Sequence, residues 1–379
     1  MRVATVEYGN VDQAQAAVRD ATAVLAEGGL VVFPTETVYG VAACATSDSG
    51  FQRLCRLRGG HQASTFTVHL PDPISANRYI ELVPAMRHFV LKALSGPVTL
   101  LIDVPDPAID RCLAQCNLSP AVRSRIYAGH TVSLRCPKQP LTQEILAAVP
   151  GPVLAGAAHL PGEDLPRDAE HAAQQLDGLV DYIIDGGVTR YAQPSTVVRI
   201  TNATRPLRVQ VERPGVYDER LIQRMTQWTI LLLCSGNTCR SPMAQGLATQ
   251  LLALQHGVAE DDLESVGFRI ESAGTMAADG QPPTSEAVEA LSREGIDIAE
   301  HRSKFLTPEI IHQADVIYTM TGAQREAVVN MVPSARSKTL QLDESGDIAD
   351  PFGLDVTAYQ RTAEVIRRRL AQRLKEQDL

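Results

Sequence analysis

The 379-residue chain is predicted to be an α/β protein with two domains. Short apolar stretches alternate with amphipathic segments of helical length along the whole sequence, which is typical of sheets covered by helices. The length exceeds what one hydrophobic core of ordinary size holds. A polar stretch follows Arg213-Pro214-Gly215. We therefore predict a first domain over 1–215, a linker over 216–227 and a second domain over 228–379.

In the first domain, a helix over 11–27 is expected to end at the glycine pair 28–29, and a buried strand over 30–33 follows and is broken by Pro34. A further helix is predicted over 168–176. Additional apolar runs predict strands over 66–70, 99–104, 132–134, 153–155, 182–184 and 196–200.

The second domain has a compact pattern that predicts a small parallel sheet with helices on both faces. Its predicted strands cover 228–234, 268–272, 316–320 and 339–342. Its predicted helices cover 242–255, 284–294, 307–313 and 358–375. In such a fold the ligand binds at the carboxyl end of the first strand, which is where Cys234 lies.

Composition excludes several classes of partner. The formal charge of −9 argues against a broad face for DNA or an anionic membrane. No apolar run is long enough to span a bilayer, and the first residues lack a signal-peptide core. The seven cysteines have no framework spacing, so we expect a reducing, cytoplasmic setting. Cys112 and Cys116 have no second ligand pair nearby, and no metal site is expected.

The octapeptide C-S-G-N-T-C-R-S at 234–241 predicts phosphate chemistry. It joins an apolar strand to a helix, where backbone N–H groups converge on an anion and favour a thiolate. Arg240 follows Cys234 by six residues, and its planar guanidinium can hold two phosphate oxygens. A nucleophile, an anion cradle and a clamp in one loop predict cleavage of a phosphate ester or phosphoramidate through a phosphocysteine.

This loop and three later motifs resemble the low-molecular-weight protein phosphatase family over about 228–379. The later motifs are S-A-G-T at 272–275, A-D-V-I-Y-T-M-T at 314–321 and D-P-F-G at 350–353. The resemblance implies a four-stranded parallel sheet, a phosphorylated protein substrate and no cofactor. It also implies a role for each matching residue, with Cys234 as the nucleophile, Arg240 as the phosphate clamp and Asp350 as the general acid and then base.

The same resemblance assigns supporting residues to the loop. Ser241 would hydrogen-bond the thiolate, and Asn237 would hold the loop shape through Ser272. Cys239 would be able to form a reversible protective disulfide with Cys234. The remaining candidates for phosphate or substrate binding are Gly236, Thr238 and Phe352. Phe352 would form one apolar wall of the substrate pocket, and Met276 would be part of the other.

Position 238 bears on the substrate. Phosphotyrosine members of the family usually carry Ile or Leu there, whereas protein-arginine phosphatases share G-N-T-C-R with this chain. The Thr238 hydroxyl could pair with a guanidinium, so we expect phosphoarginine to be preferred, with phosphotyrosine as the alternative. An arsenate reductase would need further cysteines downstream, and none follows Cys239.

The first half resembles the threonylcarbamoyl-AMP synthase family over about 10–215. The matching pieces are G-G-L-V-V-F-P-T-E-T-V-Y-G at 28–40, S-G-P-V-T-L at 95–100, S-L-R-C-P at 133–137, D-G-G at 185–187, S-T-V-V at 195–198 and R-P-G at 213–215. The resemblance implies a twisted, mixed sheet around a nucleotide cavity. It also implies a tRNA-modification reaction that joins L-threonine, bicarbonate and ATP, with Mg.

The matching pocket residues fall into two groups. Those on the threonine side are Thr35, Thr37 and Tyr39. Those on the nucleotide side are Arg135, Ser195 and Arg213, and Arg58 takes the place of a lysine in the family's basic segment.

Several positions depart from the family pattern. Gly60 stands where the basic segment has an arginine, Ala157 replaces a serine, His159 replaces an asparagine and Pro194 replaces a glutamate. A triphosphate needs several cationic and hydrogen-bonding partners, so these losses would weaken its binding. Two hypotheses remain, an active synthase in a bifunctional enzyme and a non-catalytic module that senses a nucleotide.

Overall fold

The computed structural model describes residues 1–7, 9–60, 66–203 and 206–376. The chain divides into two compact units, Met1–Thr226 and Gln227–Leu379. Each unit has its own sheet with helices packed against it, which confirms the predicted α/β class.

The first unit contains the larger sheet. Its strands are β1 (Arg2–Thr5), β2 (Val31–Phe33), β3 (Gly40–Cys44), β4 (Thr67–His69), β5 (Val98–Asp103), β6 (Tyr127–Ala128), β7 (Thr131–Arg135), β8 (Val153–Ala157), β9 (Tyr182–Asp185), β10 (Thr196–Asn202) and β11 (Arg208–Arg213). Its helices are α1 (Val11–Ala26), α2 (Asp48–Leu57), α3 (Pro84–Leu94), α4 (Asp106–Gln115), α5 (Arg123–Ile126), α6 (Pro140–Ala148), α7 (Ala169–Leu176) and α8 (Glu219–Met225).

The sheet of the first unit is mixed, as predicted. Over the described residues the strand order is β1-β9-β2-β3-β8-β4-β7-β5-β10-β11, and β6 pairs with β7 beside this path. The β2–β9 pair is parallel, whereas the β2–β3 and β3–β8 pairs are antiparallel. Strands β3, β4, β7 and β8 lie next to one another in the middle of the sheet, so residues far apart in sequence meet there.

Alternation along β2 divides its side chains between two cores. Val31 and Phe33 pack in the cluster that contains Leu25 of α1 and Ile145 of α6. Val32 belongs to the other cluster, which contains Leu54 of α2. Because successive side chains of a strand point to opposite faces, this three-residue strand anchors helices on both sides of the sheet.

Most of the predicted linker forms helix α8. The Asp218 side chain caps it by accepting a hydrogen bond from the Leu221 backbone N–H. Ile222 is fully buried and belongs to the larger hydrophobic cluster of the first unit. The division between the units falls after Thr226, so this helix packs as part of the first unit.

The second unit has a four-stranded, all-parallel sheet in the order β13-β12-β14-β15, as predicted. Its strands are β12 (Trp228–Cys234), β13 (Phe268–Gly274), β14 (Val316–Thr319) and β15 (Thr339–Gln341). Its helices are α9 (Arg240–His256), α10 (Ser285–Ser292), α11 (Pro308–Gln313), α12 (Gly322–Met331) and α13 (Val356–Glu376).

Strand β12 carries the core of the second unit on both faces. Ile230 and Leu232 pack in the cluster that includes Leu247 of α9, while Leu231 and Leu233 pack in the cluster that includes Val328 of α12. Cys234 ends this buried strand and therefore starts from a rigid support. In the described parts of the chain, every helix is too short or too polar to cross a membrane.

We predict that Ile222→Ala destabilises the first unit. Removing a fully buried isoleucine side chain leaves a cavity and should lower the free energy of unfolding by about 2–5 kcal/mol. Amide hydrogen exchange of the full chain, read separately for Met1–Thr226 and for the rest, would measure the change. The exposed Arg220→Ala is the matched control on the same helix. Faster exchange confined to the second unit would contradict the assignment of α8.

Candidate functional site

The loop between β12 and α9 folds back over the Cys234 sulfur. Asn237, in the middle of the loop, has a φ of 54°, in the left-handed region that asparagine tolerates better than most residues. This conformation directs the Asn237 backbone N–H at Cys234 Sγ, at 3.2 Å. The loop therefore presents a backbone donor to the sulfur, next to the positive end of the 17-residue helix α9.

The buried Asn237 side chain ties this loop to its surroundings. Its Nδ2 donates to Ser241 Oγ at 2.8 Å and to Ser272 Oγ at 2.9 Å. Its Oδ1 accepts from the Lys304 backbone N–H at 2.8 Å. Its backbone carbonyl lies 2.9 Å from His301 Nε2. Burial lowers the pKa of His301, which therefore donates to this carbonyl as a neutral ring near pH 7.

Cys234 has a second polar neighbour. Its Sγ lies 3.0 Å from Ser241 Oγ. Ser241 Oγ accepts a hydrogen from Asn237 Nδ2, so its own proton is directed either at the sulfur or at the Ala273 carbonyl, which lies 3.5 Å away. A thiolate at Cys234 draws this proton to the sulfur. Two donors directed at a buried sulfur stabilise negative charge there, which is the form of cysteine that acts as a nucleophile.

Arg240 lies beside this sulfur site and is only 4% exposed. Its Nη1 donates to the Ile348 carbonyl at 2.9 Å, and its Nη2 contacts Asp350 Oδ2 at 2.5 Å. Its Nε is buried without a hydrogen-bond partner among the described residues. An unpaired donor on a buried cation is costly unless an anion binds there, so this position is suited to a phosphate oxygen.

Thr238 and Cys239 complete the loop. The Thr238 carbonyl accepts from the Thr284 N–H at 3.0 Å, while the one contact of its hydroxyl within the described residues is with Cys239 Sγ at 3.7 Å. Cys239 is buried, is a free thiol like Cys234, and lies 3.5 Å from the hydroxyl of Tyr359. Burial raises the pKa of Tyr359 to about 12, so this hydroxyl stays protonated.

The rim of this site is apolar and open. Phe352 is 70% exposed, and its N–H donates to Asp350 Oδ1 at 3.3 Å. Met276 is 76% exposed, and its N–H donates to the Ser235 carbonyl at 2.9 Å. Gly236 is exposed at the tip of the loop. The predicted residues of the second unit therefore form one connected site around Cys234 and Arg240.

The first unit has a cavity of about 510 Å³ on the central strands. The predicted residues that line it are Thr35, Tyr39, Arg58, Arg135, Ser195 and Arg213. Thr37 is fully buried beside the cavity, with its hydroxyl 2.9 Å from that of Thr35. Of the four departures, Ala157, His159 and Pro194 line the cavity, and Gly60 is not among its described lining residues.

Three guanidinium groups give this cavity its positive charge, and its described lining includes no Asp or Glu. Arg135 is buried and pairs with Glu36 at 2.9 Å, and its Nε has no partner among the described residues. Arg58 donates to the carbonyl of Ala157 at 3.3 Å. Arg213 donates to the carbonyl of Ser195 at 3.0 Å. An anionic ligand fits this arrangement.

Two histidines add hydrogen-bond acceptors to the same cavity. His69 Nδ1 lies 3.0 Å from the Thr67 carbonyl, and His159 Nδ1 lies 2.8 Å from the Leu160 carbonyl. Each Nδ1 therefore carries the proton. Burial lowers the pKa of His69 to about 3 and also lowers that of His159, assisted by Arg135 and Arg58 respectively. Both rings are neutral near pH 7, which leaves each Nε2 as an acceptor.

Family models match both units. Residues 23–210 match the Sua5, YciO and YrdC family, described as Telomere recombination. Residues 229–378 match the Low molecular weight phosphotyrosine protein phosphatase family. The chain joins a Sua5-type domain to a low molecular weight protein phosphatase domain.

Individual relatives cover the two domains separately. A probable low molecular weight protein-tyrosine-phosphatase EpsP from Ralstonia nicotianae is 39% identical over 142 residues, covering 37% of this chain and 89% of that protein. A protein-arginine-phosphatase from Geobacillus stearothermophilus is 35% identical over 155 residues, covering 39% and 96%. A threonylcarbamoyl-AMP synthase from Bacillus subtilis is 32% identical over 183 residues, covering 48% of this chain. The chain spans about half the length of that synthase, 49%.

Several residues of the phosphatase domain were missed from the sequence. His301 and Lys304 contact Asn237 from more than 60 residues away, and no local pattern marks them. Helix α12 was also missed, although Thr321 and Gln324 have the spacing of a capping box and form one. Gln324 then donates to Ser235 Oγ, at 3.2 Å, next to Cys234 in the chain. The described residues contain no cluster of three His, Cys, Asp or Glu that could hold a metal ion.

We predict that Asn237→Ala destabilises the phosphatase domain by at least about 2 kcal/mol, because it leaves buried donors and acceptors unpaired and strains a positive φ. Asn237→Gly removes the strain but restores none of the side-chain bonds. Thermal unfolding of both variants measures the effect. If Asn237→Gly were as stable as the unchanged chain, the amide contacts would not be what holds the loop.

Proposed function

We propose that the phosphatase domain hydrolyses phosphorylated side chains of proteins through a phosphocysteine. The observation that carries this proposal is the Cys234 sulfur, which accepts from the Asn237 backbone N–H, lies 3.0 Å from the Ser241 hydroxyl and belongs to the loop that ends at Arg240. The Nε of Arg240, which has no hydrogen-bond partner in the described parts of the chain, supports a phosphate beside that sulfur. Asp350 contacts the same guanidinium and is half-exposed, so it can reach a leaving group at the mouth.

In the first step, the Cys234 thiolate attacks phosphorus. The bond from phosphorus to the leaving nitrogen or oxygen breaks, and Asp350 donates its proton to that atom. Arg240 and the backbone N–H groups of the loop stabilise the charge on the phosphoryl oxygens. In the second step, a water molecule attacks phosphorus, and Asp350 takes a proton from this water. The bond between sulfur and phosphorus breaks, and inorganic phosphate leaves.

Phosphoarginine is the proposed substrate, in preference to phosphotyrosine. Among the described residues the Thr238 hydroxyl has no strong partner, since its contact with Cys239 Sγ is 3.7 Å long. A phosphorylated guanidinium offers N–H groups to this oxygen, whereas a phenyl ring would bury it unpaired. The relatives over this domain carry both names, protein-arginine-phosphatase and protein-tyrosine-phosphatase, so the hydroxyl at position 238 decides our choice.

We predict that Thr238→Val, which keeps the branched shape and removes only the hydroxyl, lowers kcat/KM for phosphoarginine peptides by about tenfold. Turnover of phosphotyrosine peptides should change less, and Thr238→Ile should shift the ratio further toward phosphotyrosine. The two peptides are assayed side by side, with Cys234→Ser as the inactive control. If the unsubstituted protein hydrolyses phosphotyrosine peptides as well as or better than phosphoarginine peptides, the arginine assignment is contradicted.

For the Sua5-type domain, we propose that the cavity binds a nucleotide. Three guanidinium groups and two histidine acceptors line one concave space, and no described lining residue is acidic. Arg58, Arg135 and Arg213 would hold the phosphate groups. The lining departures Ala157, His159 and Pro194 lie in the cavity itself, which favours binding without synthesis. The second candidate is synthesis of the threonylcarbamoyl adenylate from L-threonine, bicarbonate and ATP with Mg.

We predict that Arg213→Ala weakens nucleotide binding by the full chain by about tenfold or more, because a charge-assisted hydrogen bond to phosphate is lost. Calorimetric titration with ATP and AMP measures the affinity. Arg56→Ala, which removes an exposed arginine outside the cavity lining, is the control. Release of pyrophosphate that requires threonine and bicarbonate would establish the synthase instead. An affinity unchanged by Arg213→Ala would place the nucleotide elsewhere.

A further inference from the structure

Gln324 has a hydrogen-bond pattern that determines which way its amide faces. The side chain is only 4% exposed. Its Oε1 accepts from the backbone N–H groups of Met320 at 3.0 Å and Thr321 at 3.1 Å. Because two N–H groups point at this atom, it must be the oxygen. The amide nitrogen therefore faces Ser235, and Nε2 donates to Ser235 Oγ at 3.2 Å.

This bond also determines how the Ser235 hydroxyl is used. An amide nitrogen has no lone pair to offer, so Ser235 Oγ is the acceptor and its proton must point elsewhere. Among the described residues, no acceptor is recorded for that proton, and one lone pair of the oxygen also remains. The main chain at this position is held as well, since the Ser235 carbonyl accepts from the Met276 N–H at 2.9 Å.

Ser235 lies beside the proposed nucleophile in the chain. It is the residue after Cys234 in the loop between β12 and α9, and its side chain is half-buried. A polar group that loses water when substrate binds must be paired by the substrate, or binding is penalised. Both substrates carry phosphoryl oxygens that can accept the Ser235 proton, but only a phosphorylated guanidinium also carries N–H donors for the remaining lone pair of Ser235 Oγ.

We propose that Ser235, oriented by Gln324, is a second hydroxyl that contacts the substrate and selects a leaving group with N–H donors. This inference rests on the proposed phosphatase function and deepens it. Ser235 is the specificity-determining residue, and Gln324 acts through it as a positioning residue. Thr238 and Ser235 then present two hydroxyls to the guanidinium from the two sides of Gly236.

The test compares kcat/KM for phosphoarginine and phosphotyrosine peptides in the full chain. Ser235→Ala should lower the phosphoarginine value about five- to tenfold and change the phosphotyrosine value less than twofold. Ser235→Thr keeps a hydroxyl and should retain most of the preference. The ratio of the phosphoarginine kcat/KM to the phosphotyrosine kcat/KM is the selectivity ratio. If Ser235→Ala left this ratio unchanged while hydrolysis still depended on Cys234, the proposal would be overturned.

Gln324→Glu tests the positioning role. A carboxylate still accepts the two backbone N–H groups, but it attracts the Ser235 proton instead of donating to the oxygen. The added negative charge repels both phosphorylated substrates, so its effect largely cancels in the selectivity ratio of phosphoarginine to phosphotyrosine. That ratio should fall as it does in Ser235→Ala.

In the Ser235→Ala background, Gln324→Glu should leave the ratio where it is. A further fall there would show that Gln324 acts through another residue and would overturn its assigned role. Absence of any Cys234-dependent turnover in the unchanged chain would contradict the phosphatase proposal itself, which separates the two failures.

Discussion

The buried amide of Asn237 is the interaction on which the phosphatase site depends. A loop that points backbone N–H groups at one atom leaves its own polar groups facing inward, and they need partners there. One asparagine supplies partners for the start of α9, for β13 and for the segment at Lys304. Its positive φ in turn aims the N–H at sulfur. The shape of the loop and the environment of the Cys234 sulfur therefore have the same cause.

Both domains contain a buried arginine paired with a carboxylate, but the two pairs differ in what the carboxylate can do. Arg240 and Arg135 each have an Nε without a partner among the described residues. The carboxylate of Asp350 is 48% exposed, whereas that of Glu36 is 5% exposed. Glu36 also accepts from the Lys138 N–H at 2.8 Å. Asp350 is thus open to solvent and to a ligand, as the proposed acid and base role requires, while Glu36 holds Arg135 in position.

The features predicted from sequence are those encoded within a short stretch. Strand β12, the loop and helix α9 follow one another in the chain, and their residue types and spacing carry the chemistry. The four-stranded parallel sheet followed from the order of strands and helices. Much of what was missed depends on distant partners, such as the contact of Tyr359 with Cys239 across 120 residues, whereas helix α12 was missed despite the local spacing of its capping box. The segment that forms helix α8 is polar in sequence and was therefore predicted as part of the linker. Its burial depends on packing against the core of the first unit, which the local sequence does not reveal.

The departures of the Sua5-type domain become interpretable only once the cavity is known. A lost side chain matters when the position faces the ligand, and a sequence comparison weighs all positions alike. Gly60 is not among the cavity's described lining residues, so this departure is not placed in the cavity. His159 does line it, and its Nδ1 is committed to the Leu160 carbonyl. An asparagine side chain has both a donor and an acceptor, whereas neutral His159 has only an acceptor left to offer. The chemistry of the cavity is therefore altered at that point, and a ligand must bring a donor to meet it.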